Sequence, residues 1–241
     1  MAGGAFFSFV IFALYAGVGV YLSLKAGGRA GSHPEARAAL GVTFVVVSLV
    51  YLFTGLQQVF HQLDRPLADR AFALFSMYAA FSATIPASYF ASYLIHGDRR
   101  MARLLMIAYV ALTCLSYGIV SGTRMQPLEY SWGSTWDFYS LPLRVYFIAA
   151  GGVPALAALA QFVALSLSPI EPRRIRRRIV LVTLSFVCII AGWMVMPTGR
   201  ELLVVASRAL LLAGALLVMA AYYPPSLSLL REEGGKSRLS G

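Results

Sequence analysis

The run Leu202-Leu-Val-Val-Ala-Ser-Arg208-Ala-Leu-Leu-Leu-Ala-Gly-Ala-Leu-Leu-Val-Met-Ala-Ala-Tyr-Tyr223 decides the fold class, because Arg208 is its only charge. Crossing the ~30 Å hydrocarbon layer of a bilayer takes about 20 mostly apolar residues in a helix rising ~1.5 Å per residue. Six stretches upstream meet the same requirement: Ala5–Leu24, Ala38–Phe60, Ala71–Ile95, Leu104–Gly122, Val145–Ser168 and Ile179–Pro197. The expected fold is all-α, a polytopic membrane protein whose seven transmembrane helices run up and down through residues 1–223. Residues 224–241 are a short polar tail, expected to be disordered. The opening Met-Ala-Gly-Gly has no basic n-region, so the first span reads as a retained helix rather than a secretion signal.

Basic residues sort unevenly between the two ends of these spans. Lys25, Arg29 and Arg37 lie between helices 1 and 2, and Arg99, Arg100 and Arg103 between helices 3 and 4. Arg173, Arg174, Arg176, Arg177 and Arg178 lie between helices 5 and 6, and Arg231, Lys236 and Arg238 follow helix 7. The alternate connectors hold only Arg65, Arg70, Arg124, Arg144 and Arg200, and Arg208 completes the 20 basic residues. The positive-inside tendency predicts an outer N-terminus and a cytoplasmic C-terminus, in a multi-pass protein of the inner or plasma membrane. The formal charge of +10 is thus a signature of contact with anionic membrane lipids, not of nucleic acid. The chain is 59% hydrophobic over 241 residues, so the bundle consumes nearly all of it and no soluble domain fits.

Several chemistries have no support. Cys114 and Cys188 lie alone inside apolar spans, which excludes a disulfide framework and a cysteine metal motif. His61 falls at one end of the bundle and His33 and His96 at the other, a membrane thickness of roughly 30 Å apart. They cannot share a metal or a haem. No Asp or Glu falls in a predicted span core, so the groups of a hydrolytic site do not gather at one depth. Neither a catalytic residue nor a cofactor is predicted.

Candidate binding residues come from polarity that hydrocarbon would penalise. On helix 3, Tyr78, Ser82, Ile85, Tyr89, Ser92 and His96 fall at spacings of three or four, on one face that must turn toward other helices. Ser48, Thr54, Gln57, Gln58 and Gln161 add polar groups from helices 2 and 5. That face is either an interhelical hydrogen-bonding seam or the wall of a ligand pocket. Arg208 costs from about 3 to over 10 kcal/mol in hydrocarbon unless it reaches water or a partner. It either snorkels to the outer headgroups beside Glu201, or binds an anionic ligand, or takes part in a switchable ion pair. Thr123–Arg144, with Tyr130, Trp132, Trp136 and Tyr139 beside Glu129 and Asp137, is an interfacial aromatic belt or a lid over an outward-facing pocket. The predicted ligand set is Arg208, Tyr78, Ser82, Tyr89, Trp136 and Asp137. Arg173, Arg174, Arg176, Arg177 and Arg178 anchor helix 6 on lipid headgroups or dock a cytoplasmic partner. Pro86, Pro154 and Pro197 are expected to kink their helices, for packing or as hinges.

Two resemblances follow from these motifs. Pro34-Glu-Ala-Arg37 leading into helix 2, the central Pro86 of helix 3 and the Arg173–Arg178 run resemble the seven-helix sensor region at the N-terminus of many prokaryotic histidine kinases. That resemblance implies a bundle that senses a signal and passes it to a cytoplasmic output, here on a separate partner. More remotely, Gly17-Val-Gly-Val-Tyr21, Tyr51-Leu-Phe-Thr-Gly55 and Tyr78-Ala-Ala-Phe81 with Thr84 and Pro86 are similar to helices 1, 2 and 3 of microbial rhodopsins, within a rhodopsin- and GPCR-like layout. In that family a lysine midway along helix 7 carries retinal. Lys25 and Lys236 lie outside the spans and Arg208 stands near that place, so covalent retinal is not implied. Ala80 also stands where the rhodopsin pattern has an aspartate.

The sequence therefore favours a non-enzymatic sensor or receptor-like protein that binds a small ligand, anionic if Arg208 holds it, in an outward-facing pocket. Its signal would pass to a separate cytoplasmic partner. The alternatives are a structural subunit of a membrane complex, with Ala13 and Gly17 as a packing face, and a small-solute transporter or channel. A homo-oligomer is compatible with each.

Overall fold

A computed structural model describes residues 2–26, 34–123, 125–130, 133–138, 141–167, 173–195 and 201–222. It contains α1 (Ala2–Ala26), α2 (Pro34–Gln62), α3 (Pro66–His96), α4 (Arg99–Gly122), β1 (Met125–Tyr130), β2 (Gly133–Phe138), α5 (Leu141–Leu167), α6 (Arg173–Val195) and α7 (Glu201–Tyr222). Five described helices, α1 to α4 and α7, are long and apolar enough to cross a membrane, and α6 holds a shorter apolar stretch, Ile179–Gly192. The chain is a membrane-spanning helical protein. The predicted tail, Pro197, Trp132 and Tyr139 lie outside the described residues.

The helices extend beyond the apolar spans because the basic flanks are themselves helical. Arg99, Arg100 and Arg103 occupy the start of α4, and the Arg173–Arg178 run opens α6 instead of forming a connector. Arginine has high helix propensity, and continuing the helix keeps the backbone hydrogen-bonded toward the membrane surface. The turn between α3 and α4 takes two residues. Gly97 adopts the left-handed conformation (φ 65°) and donates to the Tyr93 carbonyl, closing α3, while the Asp98 side chain accepts from the Arg100 amide and caps α4. Pro86 lies inside α3, which remains helical on both sides of it.

Neighbour contacts run α1–α2, α2–α3, α3–α5, α5–α6, α6–α7 and α7–α1, closing a ring of six helices, while α4 packs on the outside of α3. Leu104, Ile107 and Leu115 of α4 are each 61% exposed, as side chains facing lipid should be. Two aromatic groups fill the ring. Tyr15 stacks on Phe44 and Tyr51, with centroids 5.7 and 6.0 Å away, and donates its hydroxyl to the Leu211 carbonyl at 3.0 Å, which joins α1, α2 and α7. Phe90, Phe162 and Phe186 meet where α3, α5 and α6 converge.

Small residues let backbones touch where hydrocarbon offers no hydrophobic drive to association. A Cβ on Gly19 would fall 2.7 Å from the Val45 amide nitrogen, and one on Gly41 would fall 2.8 Å from that of Ser23. Across α6 and α7, Ser185 donates to the Gly214 carbonyl and Ser207 to the Gly192 carbonyl, each at 2.7 Å. Ala13 and Gly17 lie on the exposed side of α1.

The Thr123–Arg144 connector contains secondary structure that the aromatic-belt reading does not contain. β1 and β2 pair antiparallel from Met125 opposite Phe138 to Tyr130 opposite Gly133. β2 rests on α1, α2, α3 and α5, at the bundle end where α2 finishes and α3 begins. Open strand edges are not tolerated against hydrocarbon, so such a hairpin belongs at a bundle end.

The glycine contacts predict a graded outcome in thermal unfolding of detergent-purified protein. Gly19→Ala and Gly41→Ala each overpack the α1–α2 contact and cost about 1–3 kcal/mol. Gly17→Ala, whose added carbon meets open space, shifts stability by less than ~0.5 kcal/mol. Equal midpoints for all three would refute the close α1–α2 approach.

Candidate functional site

The polar centre of the hairpin end is Asp69, which is 4% exposed. Pro66, with its fixed φ and missing amide proton, is suited to begin α3, and Asp69 follows in the first turn, where a carboxylate is favoured by the helix dipole. Gln57 and His61, four residues apart, lie on one face of α2. The tight turn at Leu63–Arg65 folds α3 back beside them.

Every contact of the Asp69 carboxylate follows from this hairpin of helices and the strand lying on it. Oδ1 accepts from Gln57 Nε2 and from the Trp136 indole, both at 2.7 Å. Oδ2 lies 2.9 Å from His61 Nδ1. The Gln57 amide also donates to Ser134 Oγ at 3.1 Å, and Gln58 donates to the Ser134 carbonyl at 3.2 Å. The second His61 nitrogen faces Glu129 Oε1 of β1 at 3.9 Å. One buried carboxylate therefore joins α2, α3 and β2, and the same histidine extends the network to β1.

Among the described residues, Gln58 Oε1 and Ser92 Oγ are the buried side-chain polar atoms without a hydrogen-bond partner. Gln58 Oε1 lies beneath the hairpin, where a Cβ on Gly133 would come within 3.5 Å of it. An open acceptor there is suited to a donor from a water or a small ligand.

The sequence-predicted ligand residues occupy four settings. Trp136 belongs to the Asp69 network, and its ring packs with Tyr78, Tyr117 and Tyr146 around Phe81 and Val120. Tyr78 and Ser82 join α3 to α4: Tyr78 bonds Ser121 Oγ at 2.6 Å, Ser82 bonds the Tyr117 hydroxyl, and Tyr117 donates to the Tyr78 carbonyl at 3.2 Å. Tyr89 lies at the opposite end of α3, donating to Glu35 Oε2 of α2 at 2.7 Å, while Arg99 Nε of α4 approaches the same oxygen at 3.4 Å. Arg208 donates from α7 to the Gly4 carbonyl at 3.1 Å and to Ser8 Oγ at 3.4 Å. Asp137 is opposite Gln126 in the ladder, and its side chain lies outside the described set. Thus Tyr78, Ser82 and Trp136 share one region and Tyr89 lies at the opposite end of α3, whereas Arg208 is bonded to the start of α1 at the hairpin end, with Tyr130 of β1 in electrostatic range. Arg176 and Arg177 are exposed at the start of α6; the side chains of Arg173, Arg174 and Arg178 are likewise outside the description.

Asp69 is the residue that sequence reading missed. Starting the third span at Ala71 leaves it in a connector, whereas α3 begins at Pro66 and includes it. The available signal was Gln57, Gln58 and His61 at the end of one helix, with an acid one turn into the next across a short turn. Glu35 is a second such case, an acid in the first turn of α2 that closes on Tyr89 and Arg99.

Among the described residues, no group of three or more His, Cys, Asp or Glu side chains is arranged to hold a metal ion. The sequence matches no protein-family model and no curated protein.

The Asp69 network sets the stability of the hairpin end. Asp69→Ala strands the Gln57 and Trp136 donors and is expected to cost about 2–5 kcal/mol. Trp136→Phe removes one charge-assisted bond and is expected to cost about 1.5–3 kcal/mol. Thermal unfolding of the two variants measures both; a wild-type midpoint for Asp69→Ala would refute the hub.

Proposed function

We propose that this chain is a non-enzymatic seven-helix membrane sensor. It receives a small stimulus at its outward-facing hairpin end and transmits the change to the arginine-rich end, which faces the cytoplasm and a separate partner. The observation that carries this reading is the buried Asp69 carboxylate, through which a surface hairpin is bonded to two membrane helices. Anything that alters those bonds alters how the hairpin sits on α1, α2, α3 and α5 together. Gln58 Oε1 supplies an open acceptor under the same strand.

A path to the other end exists in α3 itself. It begins beside Asp69 and ends near Tyr89, whose hydroxyl is tied through Glu35 to Arg99. A rigid helix bonded at both ends carries a shift from one polar cluster to the other. Arg208 binds oxygens of α1 in this arrangement, so it is a staple between α1 and α7, and an anionic ligand would compete with Gly4 and Ser8 for it. The basic flanks favour an outer N-terminus and a cytoplasmic C-terminus.

A second reading, a subunit of a membrane complex, is favoured by α4. It stands outside the six-helix ring with apolar side chains exposed along its length.

Orientation and coupling can be tested with single cysteines. A membrane-impermeant maleimide added to intact cells is expected to label Glu129→Cys and to spare Arg176→Cys; the reverse pattern overturns the orientation. In inside-out vesicles, adding Asp69→Asn is expected to change the labelling rate at Arg176→Cys by about fivefold or more, the lower range of ordinary coupling between sites. An unchanged rate overturns the sensor reading.

A further inference from the structure

We propose that the stimulus read at the hairpin end is the proton, with His61 as its receptor and Glu129 as the group it captures. The proposal rests on the reading of that end as the sensing end and specifies its stimulus.

The hydrogen-bond inventory around Asp69 assigns the two imidazole nitrogens different tasks. Gln57 spends one amide hydrogen on Asp69 Oδ1 and the other on Ser134 Oγ, and the Trp136 N–H goes to the same Oδ1. Oδ2 is left facing His61 Nδ1 at 2.9 Å, so this nitrogen carries a hydrogen and donates it to the carboxylate. That bond is present in both the neutral and the protonated ring.

The other nitrogen, Nε2, is the one that changes. It lies 3.9 Å from Glu129 Oε1, inside ion-pair range and outside hydrogen-bond range. In the neutral ring, Nε2 presents a lone pair to a carboxylate, and two acceptors have nothing to share. In the protonated ring it presents N–H⁺, and the carboxylate is drawn in. Falling pH therefore clasps β1 to α2, and rising pH releases it. Asp69 holds the ring in place throughout.

The charged groups around the ring support this division. α3 contributes Asp69 and β1 contributes Glu129. Asp64 and Arg65 lie in the adjoining turn and Arg70 on α3, all exposed. α1 has no titratable side chain between Ala2 and Phe12, and from α7 Arg208 is bonded to α1 while Glu201 is exposed. The side chains of Asp137 on β2 and Arg144 on α5 are outside the described set. His61 is 27% exposed at its side chain and Glu129 78%, so protons from solvent reach both without opening the bundle.

Hydrogen exchange of the hairpin, measured on the full chain in nanodiscs of uncharged lipid, tests the latch. Rates at about pH 5 and about pH 8, which bracket the range where imidazoles titrate, are corrected for the intrinsic pH dependence of exchange. Hairpin opening is expected to be about 1.5- to 5-fold less frequent at the lower pH, the magnitude of a solvent-exposed ion pair. Glu129→Gln and His61→Gln are each expected to abolish the difference. No pH effect in the wild type, or a full effect in Glu129→Gln, overturns the proposal. If His61→Gln fails to fold, Glu129→Gln alone decides. A lost pH effect with intact coupling between Asp69 and Arg176→Cys removes the proton and leaves the sensor, whereas intact pH dependence with no coupling does the reverse.

Discussion

Inside hydrocarbon there is no water to accept a proton from an amide or to donate one to a carbonyl, so the chain must satisfy its backbone itself. Helices do this one by one, and the remaining polar groups are handled locally. Thr43, Thr54, Ser116 and Thr183 return their hydroxyls to carbonyls one turn back, at Ala39, Val50, Leu112 and Ile179. Others cross between helices, as Tyr15, Ser185 and Ser207 do, and these crossings hold the ring together. Strands cannot satisfy themselves in this way, which is why the one hairpin among the described residues lies over the helix ends.

The same constraint explains the placement of charge. Among the described residues, Asp69, Glu35 and Arg208 are charged groups near the bundle ends that are each met by donors or acceptors from a different helix. Asp69 bonds α2 and the hairpin, Glu35 bonds α3 and faces α4, and Arg208 bonds α1. These contacts make the two ends of the bundle chemically distinct. One is organised around a carboxylate beneath a strand, the other around a carboxylate beside arginine, and α3 takes part in both. Between them, the hydroxyl seam of Tyr78, Ser82, Tyr117 and Ser121 attaches α4.

Much of this was legible before any coordinates. Hydropathy located the helices because the cost of exposing polar backbone to lipid leaves a long, simple signal. The polar face of α3 was recoverable from the spacing of Tyr78, Ser82 and Tyr89, since helical period alone puts them on one side. What that face touches was not recoverable: Tyr78 and Ser82 meet α4 while Tyr89 meets α2, and neighbour identity depends on how the ring closes. The hairpin was missed because Trp132, Trp136 and Tyr139 suit an interface in either conformation, and its pairing depends on tertiary support from four helices. Asp69 was missed for a different reason. A hydropathy boundary trims polar residues from a helix end, and those are the residues that such an end uses to bind its neighbours.

Closure of the ring through α1 and α7 has a consequence for biogenesis. Tyr15 bonds the Leu211 carbonyl, and Arg208 bonds Gly4, across 196 and 204 residues of chain. Until α7 is inserted, α1 therefore lacks the Leu211 carbonyl that its Tyr15 hydroxyl bonds. An insertion intermediate lacking the seventh helix is an open curved row with two raw margins.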